Sequence, residues 1–156
     1  MAGEFETARE LQQEVIAQRR AVGGLFGISD NLGLMLMIEA ALGNFGEARA
    51  LLEEVRDVQR RLHDRSGLAG ALEVRALVAN GEGDYETAAI CMGAVQGMRD
   101  RSIGMLVPSE MLGFFDAGKE PIERLDPARY RELFEFGRSL DPEEVFLTDG
   151  LAMDIA

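Results

Sequence analysis

An all-α chain of stacked two-helix hairpins is the architecture this sequence predicts, and three observations predict it. A set of residues recurs every forty positions, the apolar residues within each copy fall at helical spacing, and glycines punctuate the copies where one helix must end and another begin. The segments GEFETAREL, GNFGEARAL and GDYETAAIC start at Gly3, Gly43 and Gly83 and align without a gap. Below those glycines the columns read aromatic (Phe5, Phe45, Tyr85), alanine (Ala8, Ala48, Ala88), apolar or thiol (Leu11, Leu51, Cys91) and valine (Val15, Val55, Val95).

Each column has a physical role. The steps of three, three and four that join aromatic, alanine, apolar residue and valine place all of them on one stripe of an α-helix. The glycine readily takes the left-handed conformation that closes a preceding helix. The alanine is small where two helices cross closely, so that their backbones approach. Second apolar segments, residues 28–42 and 68–80, lie between these helices and follow Gly27 and Gly67, again forty apart. Each repeat is therefore a helical hairpin, and such hairpins bury their apolar stripes by stacking on one another.

The expected organisation is a single domain over residues 1–156, with repeats at 3–42, 43–82 and 83–110 followed by capping helices within 120–153. From Asp100 to Glu120 the pattern loosens around Gly104, Pro108, Gly113 and Gly118, and a connector with one short helix near 109–115 is expected. Asp126-Pro127 and Asp141-Pro142 each place a capping aspartate before a proline at the first helical position, where a missing N–H costs nothing. Two short helices follow, over 127–137 and 142–152, whose Leu133, Phe134, Val145 and Phe146 cover the end of the stack.

The turn and the helix after it resemble tetratricopeptide repeats, which read Gly-Asp-Tyr-x-x-Ala. This chain has Gly43-Asn44-Phe45-Gly46-Glu47-Ala48 and Gly83-Asp84-Tyr85-Glu86-Thr87-Ala88, with a diverged copy at Gly3. The period exceeds the usual ~34 residues of that family. It is similar to the longer variety in the C-terminal regions of LuxR-type and MalT-like bacterial activators and related signalling ATPases, down to the tail Phe134-Glu135-Phe136-Gly137-Arg138-Ser139-Leu140-Asp141-Pro142-Glu143-Glu144-Val145. The resemblance implies a right-handed superhelix of about seven or eight helices, a tetratricopeptide-like α-solenoid. It also implies a protein-protein interaction scaffold in a bacterial regulatory or signalling system. Its partner groove would be lined by the first helix of each hairpin, which brings Asp30, Met37, Glu73, Leu77 and Asn80 near that surface. In this register residues 3–22 correspond to the second helix of a hairpin whose first helix is absent. An excised fragment, a stand-alone protein and a dimer that covers the open face all fit that register. No nucleotide-binding or helix-turn-helix segment accompanies the repeats, so the ATPase and DNA-binding roles of the larger families are not carried over.

Composition narrows the function classes further. The net charge of −12 is uneven: residues 1–80 carry 12 acids and 9 bases, residues 81–156 carry 16 acids and 7 bases. Such a field repels phosphate backbones and anionic lipid, and a basic or amphipathic protein or peptide suits it better as a partner. No stretch is long and apolar enough for a membrane span or a signal peptide, so a cytoplasmic chain is expected. The single cysteine, Cys91, leaves no internal disulfide and falls on the core stripe. With one histidine, His63, beside Asp64 near a helix end, there is no set of ligands for a metal. Gly81-Glu82-Gly83-Asp84 is a turn between helices and not a phosphate cradle after a strand. The adjacent acids Glu53-Glu54 and Glu143-Glu144 diverge by about 100° on a helix and do not share a substrate. Met35, Met37, Met92, Met98, Met105 and Met111 are flexible thioethers that fill uneven cores or adapt to varied partners. A non-enzymatic scaffold without cofactor or metal is the expectation. A small-molecule-sensing regulatory domain and a self-associating structural unit are the alternatives.

Overall fold

The computed structural model describes residues 2–23, 28–62, 68–101 and 119–148. Among the described residues there are eight α-helices and no strand: α1 (Ala2–Ala21), α2 (Ile28–Ala41), α3 (Phe45–Leu62), α4 (Leu68–Glu82), α5 (Tyr85–Arg101), α6 (Lys119–Arg124), α7 (Pro127–Ser139) and α8 (Pro142–Leu147). The all-α expectation is met in kind and in number. The chain divides into two compact units, Met1–Ala71 and Leu72–Ala156, with the boundary inside α4. His63, Gly27, Gly67, Met105, Met111, the short helix expected near 109–115 and the residues past 148 lie outside the described residues.

In the first unit α2 is the central helix, and both α1 and α3 pack on it. Its sequence explains why: Leu32, Met35, Leu36, Ile38 and Ala40 are all buried, which leaves little of its circumference for solvent. α3 is two-faced. Ala48, Leu52, Val55 and Val58 are buried, whereas Arg49, Glu53, Asp57 and Arg60 are exposed. Polar side chains that enter this interior arrive with partners. Gln12 of α1 donates to the Asn31 side chain at 2.8 Å and to its carbonyl at 2.9 Å. The buried Glu39 carboxylate accepts from Asn44 at 2.7 Å and faces Arg9 of α1 at 3.7 Å.

In the second unit α5 is central, with α6, α7 and α8 against it. The crossing of α5 and α7 brings backbone onto backbone. A methyl group at Gly93 would collide with the carbonyl of Phe134, one at Gly137 with the carbonyl of Ile90, and one at Gly97 would lie 2.5 Å from the Arg138 carbonyl oxygen. Three glycines thus create a contact that no side chain permits. Ion pairs fix its two ends. Arg129 grips Glu86 through two bonds of 2.8 and 3.1 Å, and Arg138 Nε donates to Asp100 at 2.6 Å. Leu133, Val145 and Phe146 are fully buried and Phe134 is half-buried.

The helix starts in this region follow the expected chemistry. Asp126 accepts from Ala128 N–H at 2.9 Å and Asp141 from Glu143 N–H at 2.8 Å, each immediately before its proline. At the far end of α8 the buried Arg75 donates to the carbonyl oxygens of Val145, Phe146 and Thr148, the last at 2.7 Å. A guanidinium there satisfies carbonyls that have no partner inside the helix and meets the negative end of its dipole.

The turns that mark the repeat match in their main-chain bonds. Gly43 has φ 77° and Gly83 φ 79°. Their N–H groups donate to Ala40 and Asn80, both at 3.0 Å. The next N–H reaches one residue further back, from Asn44 to Glu39 at 2.9 Å and from Asp84 to Ala79 at 2.8 Å. This pair of bonds is the left-handed helix stop. The same residues then begin the following helix: Ala48 N–H donates to the Asn44 carbonyl at 3.0 Å and Ala88 N–H to that of Asp84 at 3.2 Å. The Asp84 carboxylate also caps Thr87 N–H at 3.1 Å. Gly3 differs, because it lies in the first turn of α1 and not in a turn between helices. The first copy therefore keeps the helical stripe without the junction.

Candidate partner-binding site

The five groove residues expected from the repeat register fall into different environments. Asp30 is exposed in the first turn of α2. Met37 is half-buried, with its sulfur 3.6 Å from the place a side chain on Gly70 would take. On α4, Glu73 is 3% exposed and accepts from Arg99 of α5 at 2.7 Å, and Asn80 is 5% exposed. Leu77, between them, is half-buried. These three residues share one helical stripe by their spacing of four and three, and Glu73 on it reaches α5. The physical reason is that α4 is buried around most of its circumference: residues 71–76 and 78–80 are all buried. Glu73 and Asn80 are thus buried, unlike the exposed Asp30.

The first unit has a better-formed recess. A cavity of about 230 Å³ opens between α1 and α3 over α2. Its floor is Ile16, Leu32 and Met35, all buried, with Leu51 of α3 half-buried at one side. Gln13, Ala17 and Arg20 of α1 stand exposed at its mouth. Arg20 pairs with Glu54 of α3, so an ion pair joins the two walls at one end. The floor follows from sequence pattern, since Leu32 and Met35 lie three apart on the central helix and Ile16 lies on the inner stripe of α1. The register of α1 against α3, which leaves the recess unfilled, is a tertiary property. Of these residues only Met35 and Leu51 had drawn notice in the sequence, as a flexible thioether and a repeat column.

In the second unit the Glu86 carboxyl is held below its ordinary range by the Arg129 hydrogen bond and charge, against the opposing effect of burial. Asp100 is likewise lowered, by hydrogen bonds from Gln96 and from Arg138. The Glu86 shift belongs to the α5–α7 contact, and the Asp100 shift comes first from Gln96 on its own helix and then from Arg138 of α7, so both report packing and not a reactive group. Among the described residues no group of three or more histidines, cysteines or carboxylates is arranged to hold a metal ion, and no helix is long and apolar enough to cross a membrane. No protein-family model, no curated protein and no solved structure matches this chain.

Proposed function

We propose that the chain is a protein-protein interaction scaffold of tetratricopeptide-like repeats, without catalytic activity, which works in the cytoplasm as part of a bacterial regulatory or signalling system. The observation that carries this reading is the repeated junction. At Gly43 and again at Gly83 the same left-handed stop is followed by the same helix start. A junction repeated at that fidelity marks a unit designed for stacking, and stacked helical hairpins present extended surfaces that recognise proteins. The tail after the repeats supports the resemblance too, because its Gly137-Arg138 dipeptide has two jobs on α5: the glycine admits the close crossing and the arginine pairs with Asp100.

The decisive experiment is photo-cross-linking in cells from exposed positions such as Asp30, Gln13 and Glu47, with the captured protein identified, purified and titrated against the purified chain. A saturable complex of defined stoichiometry is expected. If no captured protein forms one, the scaffold function is wrong.

A further inference from the structure

We propose that the recess between α1 and α3 is a docking site for a basic amphipathic segment of a partner protein, which seats one large aliphatic side chain on Leu32 and Met35 while its flanking lysines or arginines face carboxylates on the two walls. This rests on the scaffold function and gives it a location and a partner chemistry. Size is the first ground. The recess of about 230 Å³ exceeds the ~150 Å³ of an apolar cavity that admits benzene, so one leucine, methionine or phenylalanine side chain fits on its apolar floor. The thioether of Met35 adapts to whichever of these arrives.

Charge is the second ground. On α1, Glu10 is exposed and lies on the stripe of Gln13 and Ala17, at steps of three and seven. On α3, Glu47 precedes Leu51 by four and Glu54 follows it by three, so both flank that wall. Beside these three carboxylates stand two cations that already have carboxylate partners, Arg20 with Glu54 and Arg9 with Glu6 and Glu39, so the rim keeps a negative excess. A rim of that sign attracts a cationic segment and disfavours an acidic one. The Gln13 carboxamide at the mouth adds one donor group and one acceptor for a partner's main chain. The walls of the site belong to α1 and α3, second helices of their hairpins, and its floor to the first helix α2.

The test uses a fluorescent synthetic amphipathic peptide of about five helical turns, with leucines on one face and lysines on the other. Two twins accompany it, one with glutamate for lysine and one with serine for leucine. The whole chain is expected to bind the lysine peptide saturably and each twin at least tenfold more weakly. Ala17→Phe fills the recess from an exposed position; it should weaken binding at least tenfold while leaving the thermal melt unchanged. The double variant Glu10→Lys with Glu47→Lys should weaken it several-fold and flatten its salt dependence.

Equal binding of the lysine peptide by the wild type and Ala17→Phe would overturn the recess and leave the scaffold function standing. Equal binding of the glutamate twin would overturn the basic partner. Absence of saturable binding to the lysine peptide would also overturn the proposal, with the scaffold function then decided by cross-linking alone. A dimer seen by light scattering and abolished by Ala17→Phe would overturn it in favour of a second copy as occupant.

Discussion

Helices α3 and α5 are successive copies of one repeat, entered through the same turn, yet they meet their surroundings differently. Their inner stripes agree: Ala48 and Ala88 are both 0% exposed, and Val55 and Val95 are 2% and 0% exposed. Their outer faces do not. Where α3 has exposed Arg49, Ala50, Glu53 and Asp57, α5 has Ala89, Ile90, Gly93 and Gly97, all buried. The junction and the inner stripe are therefore the conserved geometry of the repeat, and the outer face is free to be solvated or to receive another helix. In α5 two glycines convert that face into a seat for α7.

The sharpest way to break this comparison is to put a methyl group into the seat. Gly93→Ala forces α7 away from α5 and should cost about 3 kcal/mol or more, at the upper end of overpacking. Gly46→Ala, on the open side of α3 with nothing within 4 Å, should instead be neutral or stabilising by about 0.5 kcal/mol through helix propensity. Thermal or denaturant unfolding of both variants checks the pair, and a mild effect at Gly93 would sink the close crossing. Next in size is the shared stripe: Ala48→Leu and Ala88→Leu should each lower the melting temperature, with losses of about 1 to 3 kcal/mol. An unchanged melt for either would remove its copy from the packing scheme. Gly43→Ala and Gly83→Ala should each cost about 1 kcal/mol, because both sites have positive φ and open space around them. Unequal losses would separate the two turns that the hydrogen bonds make alike.

The acid response sharpens the contrast from another side. The carboxyls of Glu86 and Asp100 are lowered in the folded state. Their contribution is complete above the ordinary carboxylate range, near pH 4, and is lost as pH falls from there through their depressed folded values. Melting temperature measured between neutral pH and about pH 3 should therefore fall less steeply for Glu86→Gln with Asp100→Asn than for the wild type. Equal slopes would show that the α5–α7 ion pairs do not stabilise the fold. The smallest effect is expected at Leu11, which occupies the column of Cys91 but is 61% exposed where Cys91 is 0% exposed. Leu11→Ser should change stability by less than about 0.5 kcal/mol, as surface substitutions do. A loss above 1 kcal/mol would mean that this face of α1 is covered in solution.

What the sequence made legible is what local chemistry determines. Gly43 and Gly83 announce their turns because a positive φ strongly favours glycine, and Asp126 and Asp141 announce their helices because a capping carboxylate before proline has few other uses. The glycines of the α5–α7 crossing carry the opposite local signal. Gly93, Gly97 and Gly137 look like helix breakers, and only the partner backbone explains them. Helix α6 was not anticipated, since six residues with Pro121 among them give no periodicity. The inward turn of Glu73 and Asn80 escaped for a related reason: a helix buried on most sides has no polar face from which to read its register. The recess over Leu32 and Met35 depends on how far apart α1 and α3 stand, which no single segment encodes.

The clasp of Arg75 on the end of α8 reaches the main-chain oxygens of Val145, Phe146 and Thr148. These three bonds are blind to spelling: the exposed Thr148 is free to drift to another residue without loosening them. They are strict about length, because one residue inserted or deleted between Pro142 and Thr148 would rotate the carbonyl cage out of the guanidinium's reach. Natural variants of this protein should accordingly vary in letters at that helix end and keep its count.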